Sequence, residues 1–215
     1  MKKTLTALAV SLWLVVPVLA APEKMAGTDA SLAPEQMEAK YTQAIEGRTA
    51  DILKVLALSD TNQSAKVHDL ILAQYRGLRA WHDANDPKLK AAKGDTNALA
   101  QIHGSLKTLH DGFIAGLSAN LTPAQVEKVK DKMTYGKVQF TYAGYLVAYP
   151  DLADQHKQKI LELLEQAREE AMDGGSADEK TAVFQKCKGK INNYLSAQGI
   201  HPNKQKPAAK PPAGQ

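Results

Sequence analysis

One cysteine, Cys187, stands in the 215 residues, which excludes any internal disulfide. The fold must be held by its apolar core, and a chain of this length can bury enough surface for one domain. A lone thiol in an oxidising compartment either pairs between chains or is a partly buried, inert residue. The second is the expectation for Cys187. Charge of one sign is missing too. Without Lys2 and Lys3 the balance is 25 basic against 23 acidic residues, so nothing favours nucleic acid or an anionic membrane as partner. After residue 20 no stretch approaches the ~20 consecutive apolar residues that span a bilayer. Strand-like alternation is absent except for Val138–Thr141. No nucleophile elbow, phosphate loop, zinc-type Cys/His set or dinucleotide fingerprint occurs.

What is present begins with Lys2 and Lys3, an apolar run from Leu5 to Leu19, and the small residues of Val18-Leu19-Ala20. This is the pattern of a secretory signal peptide, cut after Ala20. The mature protein is expected to be exported, to the periplasm or outside the cell, with no integral membrane segment. Residues 21–31 read as a linker. Residues 201–215 hold four prolines, three lysines and no large apolar side chain besides proline, and read as a disordered tail. A single domain is expected between them, over 32–200.

That domain reads as all-α, an irregular antiparallel bundle of about six helices. Leu32-Ala33-Pro34-Glu35-Gln36, Leu121-Thr122-Pro123-Ala124-Gln125 and Leu152-Ala153-Asp154-Gln155 are helix starts. In the clearest copy Thr122 caps, Pro123 takes the first turn, Gln125 reaches back, and Leu121 staples onto Val126. Apolar periodicity predicts helices over about Pro34–Ala57, from Asn62 to a stop at Asn85-Asp86-Pro87, and from Gly94-Asp95 through Leu99, Ile102, Leu106, Leu109 and Phe113. A short helix carries Val126, Val129 and Met133. Another carries Ile160, Leu164, Ala167 and Ala171 and stops at Gly174-Gly175. Ser176 caps a sixth, and Ile191–Ala197 reads as a last short piece.

Met133–Pro150 departs from this pattern. It mixes Gly136 and Gly144 with β-branched and aromatic residues and holds four of the seven tyrosines. A non-helical, aromatic-rich insertion is expected here. Tyr142, Tyr145 and Tyr149 stand at i, i+3 and i+7, so any short helix in it would present them on one face.

Gln74-Tyr75 with Trp81-His82-Asp83, Leu109-His110-Asp111-Gly112-Phe113, Lys132-Met133-Thr134-Tyr135-Gly136, Ala167-Arg168-Glu169-Glu170-Ala171-Met172-Asp173 and Lys188-Gly189-Lys190-Ile191-Asn192-Asn193-Tyr194 follow in a distinctive order. In that order the chain, over about Tyr41–Gly199, resembles a family of exported bacterial proteins, domain of unknown function family 3826. That family carries a sugar-binding description, so the resemblance implies carbohydrate as the ligand; it brings no catalytic residues with it. The Leu-Thr-Pro-x-Gln helix start also resembles periplasmic stress chaperones of the Spy type.

His68-Asp69, His82-Asp83 and His110-Asp111 invite comparison with dimetal phosphohydrolases. Neighbouring helical residues point about 100° apart, however, so one such pair chelates one ion poorly. Structural roles are expected for them, with no metal and no cofactor. Glu162, Glu165, Glu169 and Glu170 include spacings that a glycoside hydrolase would need, but read as a solvated face. Candidate ligand-binding residues are Tyr135, Tyr142, Tyr145, Lys190, Asn192, Asn193 and Tyr194, in which aromatic faces and amides suit a sugar. Trp81, His82, Arg168 and Asp173 join them, the last two as an anchoring polar cluster. Met133–Pro150 and Lys188–Tyr194 are expected to meet in one pocket. The expected function is an exported binding protein for carbohydrate rather than an enzyme. A chaperone-like or envelope interaction protein is the alternative, and a hydrolase a distant third.

Overall fold

The computed structural model describes residues 33–202; the expected signal peptide, linker and all but the first residues of the expected tail lie outside them. Among the described residues there are seven helices and no strand: α1 (Pro34–Leu56), α2 (Thr61–Ala91), α3 (Thr96–Ser118), α4 (Pro123–Met133), α5 (Lys137–Ala148), α6 (Asp154–Met172) and α7 (Ala177–Ala197). The chain is all-α, as its periodicity requires.

The helix starts behave as their residues dictate. The Thr122 amide donates to Gln125 Oε1 at 3.0 Å and the Gln125 amide to Thr122 Oγ1 at 3.4 Å, while Leu121 and Val126 are both buried as a staple. Asp60, Asp95 and Ser176 cap α2, α3 and α7.

The helices enclose two cores. Ile45 and Ile52 of α1, Val67 and Ile71 of α2, Phe113 and Leu117 of α3, and Val126, Val129 and Met133 of α4 form the first. Val138 and Tyr145 of α5, Ile160 and Leu164 of α6, and Phe184, Cys187, Ile191 and Leu195 of α7 form the second. Met172, near the end of α6 and fully buried, packs into the first core and joins the two. Within the first, α2 and α3 approach closely because two glycines lack a Cβ. Leu109 of α3 lies over Gly77 of α2, and Leu70 of α2 lies over Gly116 of α3. This reciprocal pairing sets an antiparallel register, continued by the Trp81 indole donating to Ser105 Oγ at 2.8 Å.

Seven helices agree with the expected bundle of about six, and three expectations need correction. Met133–Pro150 is not a non-helical insertion: the break is confined to Tyr135 (φ 59°) and Gly136 (φ 62°), after which α5 runs on, Val138–Thr141 included. Gly136 suits the left-handed region, and Tyr135 is held in it by its amide on the Lys132 carbonyl and by the Gly136 amide on the Asp131 carbonyl. Burial of Val138, Thr141 and Tyr145 on one stripe outweighs the weak helix propensity of the segment. Asn85-Asp86-Pro87 does not end α2. Both Pro87 and Asp83, whose carbonyl loses its amide partner, are exposed, so water can serve that carbonyl. Finally, Ile191–Ala197 is not a separate short piece but the end of α7, because Phe184, Cys187, Ile191 and Leu195 form an unbroken buried stripe.

Candidate functional site

The candidate residues fall in three places. The first is where α5, α6 and α7 meet. Tyr142, Tyr145 and Tyr149 do share one face, turned to the second core. The Tyr145 hydroxyl donates to Asn192 Oδ1 at 2.8 Å and lies 3.2 Å from the Lys188 carbonyl, so the two singled-out stretches meet there. The contact is filled rather than hollow. Tyr145 is 9% exposed, and burial pushes its pKa up to about 12. The next ring outward, Tyr149, stacks on it with centroids 6.1 Å apart and planes 23° apart. Tyr194 turns to His156 of α6, whose Nδ1 lies 2.8 Å from the Tyr194 hydroxyl. Lys190 and Asn193 are exposed on α7.

Beyond this contact lies an open cavity of about 230 Å³ between the α5–α6 turn and the chain leaving α7. Tyr149 and His156 line it with Asp151, Leu152, Ile200 and His201. It is smaller than the roughly 300–1,000 Å³ of clefts for drug-sized ligands, and has the size of a subsite for one ring. Its wall is an aromatic ring backed by a second ring. Its polar groups are an imidazole held by a tyrosine, a carboxylate and a second imidazole. Tyr149 belonged to the tyrosine stripe legible in the sequence. His156 had no signal, because its role depends on a residue 38 positions away. A second cavity, about 110 Å³, lies in the α6–α7 groove beside Cys187 and Lys190. Cys187 is buried, its thiol donates to the Leu163 carbonyl at 3.2 Å, and burial raises its pKa, which makes it a poor nucleophile.

The second place is the seam between the cores. Arg168 of α6 is buried, and its Nη1 donates to Asp131 Oδ1 of α4 at 2.6 Å. Its Nη2 donates to Glu127 of α4. Lys130 of α4 bonds Glu169 at 3.2 Å, and His110 Nδ1 of α3 lies 2.9 Å from Asp173 Oδ1. That Asp173 hydrogen bond raises the His110 pKa. Arg168 and Asp173 thus belong to one polar seam, each with its own partners. At its end His82 Nε2 donates to the Asp173 carbonyl at 2.8 Å, and Trp81 meets the His82 ring edge-on. Lys180 caps α6 there, donating to the Ala171 and Met172 carbonyls at 3.0 and 2.9 Å; burial lowers its pKa to about 8. Glu162, Glu165 and Glu170 are exposed on α6.

The third place holds Tyr135 alone. It stands at the α4–α5 break, 39% exposed, on the side of the first core near Tyr75. Among the described residues its ring makes no stacking contact with Tyr142 or Tyr145, which pack at the second core.

The architecture is that of a helical protein with a small open cavity at an aromatic corner and a charged seam between two cores. Over residues 42–209 it matches the model of a family described as "Protein of unknown function (DUF3826)", and the chain belongs to that family. A comparison with curated proteins gives no match.

Proposed function

We propose that this chain is an exported helical binding protein whose ligand is a carbohydrate, seated at the Tyr149 cavity. The observation that supports this most is the Tyr145–Tyr149 stack, which ends in a ring lining an open cavity beside His156 and Asp151. An aromatic face can cover the C–H face of a sugar ring while carboxylate and imidazole groups hydrogen-bond its hydroxyls. Tyr145 and Asn192, through the bond between them, position the stack rather than touch ligand. Export rests on the reading of residues 1–20, and the sugar-binding description of the resembled family points the same way. A screen of the mature protein on a glycan array, followed by titration of Tyr149→Ala with the best glycan, tests it.

A second reading is an interaction protein, favoured by Phe140 (81% exposed) and Val147 (65% exposed) on the outer face of α5. Loss of glycan binding in Tyr149→Ala but not in Phe140→Ser supports the first reading. Absence of any glycan hit leaves the second.

A further inference from the structure

The end of the charged seam brings together three side chains that carbohydrate binding at the Tyr149 cavity does not use. His82 and Asp86 stand four residues apart on α2 and so share a face, and Glu179 comes from the first turn of α7. Asp86 Oδ1 lies 2.9 Å and Glu179 Oε2 3.9 Å from His82 Nδ1. One ligand atom from each of the three side chains lies within 4.8 Å of the other two.

Contacts outside the trio fix which atom of His82 is offered. A backbone carbonyl can only accept, so His82 Nε2, 2.8 Å from the Asp173 carbonyl, carries the proton of the neutral ring. The Nδ1 lone pair then faces two carboxylate oxygens, an arrangement that needs a cation between them. A ring N–H held by a backbone carbonyl is also the usual outer support of a metal-ligating histidine. Glu179 has support of its own: its Oε2 accepts the Gly175 amide at 2.9 Å. The ring is set by close packing as well, because a Cβ on Gly175 would stand 2.8 Å from it.

We propose that His82 Nδ1, Asp86 and Glu179 form a zinc site that ties α2 of the first core to the first turn of α7 in the second. One imidazole nitrogen and two carboxylate oxygens suit zinc, which holds such ligands at about 2.0–2.2 Å. Ligands at that range stand roughly 3.4 Å apart in a tetrahedron, so small side-chain movements assemble the set. Asp86 and Glu179 are half-exposed, so the ion has an entry path and a solvent-facing fourth position. The signal in the sequence was His82 with Asp86 at i+4, rather than the adjacent His82-Asp83 pair.

The test is calorimetric titration of the chelator-stripped mature protein with zinc chloride, repeated on Asp86→Asn and Glu179→Gln, both partly exposed positions at which folding should survive. The expected result is one saturable site, weakened at least tenfold in each variant. Zinc should also raise the melting temperature of the parent more than that of either variant. Cobalt(II) as a spectroscopic probe should give the visible absorption of a low-coordinate nitrogen–oxygen site. No saturable binding at 100 µM zinc, or equal affinity in parent and both variants, would overturn the proposal. The first outcome leaves a proton as the cation of the trio, and the second puts the zinc elsewhere on the chain.

Discussion

The two cores are built from the same kind of helix but enclose themselves to different degrees. Four helices surround the first, and α2 and α3 come close enough for leucines to sit on glycines. Arg79 lies over the Tyr41 ring at 4.2 Å and its Nη1 bonds Glu38 at 2.7 Å, a clamp between α1 and α2. Only three helices surround the second. Three helices in a thin arrangement cannot cover every face, and α5 packs mainly on α6 and leaves Phe140 and Val147 in water. The open cavity lies in this second region too. On the proposed reading the more closed half is the frame and the less closed half carries the binding surface, the usual division between rigid scaffold and binding element.

The largest effect is expected where the halves join. Arg168→Met would leave the Asp131 and Glu127 carboxylates facing each other without their cation. Loss of one partner of a buried ion pair costs about 3–5 kcal/mol, and the partial exposure of the two acids places this case near the lower end. Urea unfolding at neutral pH measures it. A loss below about 1 kcal/mol would mean the seam does not hold the halves together.

Next comes the close approach inside the first region. A Cβ at Gly116 would stand 2.8 Å from the Leu70 Cδ2 methyl, which must shift, so Gly116→Ala should lose most or all of the roughly 1 kcal/mol that better helix propensity offers. Gly144→Ala in α5, where no atom lies within 4 Å of the new Cβ, should instead stabilise by up to about 1 kcal/mol. Equal effects at the two glycines would erase the contrast between regions.

Alkaline titration probes each half through one tyrosine. Burial raises Tyr75 in the first core and Tyr145 in the second to about 12 from 10.0. A tyrosine with a raised folded-state pKa keeps its proton longer when folded. Its contribution is fully present below pH 10 and is lost as pH rises from 10 towards 12. Tyr75→Phe and Tyr145→Phe should each flatten part of that decline in a series of melting curves. Tyr145→Phe should also lower stability at pH 7 by about 1 kcal/mol, since it deletes the bond to Asn192. If neither variant alters the alkaline slope, those hydroxyls titrate as in water.

The smallest effect is expected on α5. Phe140→Ser should change stability by no more than about 0.5 kcal/mol, because the ring touches water rather than core. Native-state hydrogen exchange should rank α5 amides below those of α6 and α7. Protection of α5 equal to that of α6 would show that the second core is as closed as the first.

These contrasts also mark what the sequence could convey. Helix starts such as Thr122-Pro123-Ala124-Gln125 are local chemistry, and the structure follows them. The all-α class followed from periodicity, and the tyrosine stripe of α5 from spacing alone. Positions where local propensity and tertiary burial disagree were misread. Ile191–Ala197 read as a separate short piece, yet Phe184, Cys187, Ile191 and Leu195 bury one continuous stripe and keep α7 whole. Pro87 looks like a stop, yet it and Asp83 are exposed, so water can serve the freed carbonyl. The polar partners were least legible, because Arg168 with Asp131 and His156 with Tyr194 pair across 37 and 38 residues. No spacing rule spans such distances without the fold.

The central claim is that the open corner of the second region is where this protein binds carbohydrate. Isothermal titration of the mature protein with its best array glycan, beside Tyr149→Ala checked for retained helicity and melting temperature, tests it most directly. Loss of the aromatic wall should weaken binding by about 1 kcal/mol or more, a several-fold drop in affinity. Undiminished affinity in the folded variant would contradict the assignment of the site.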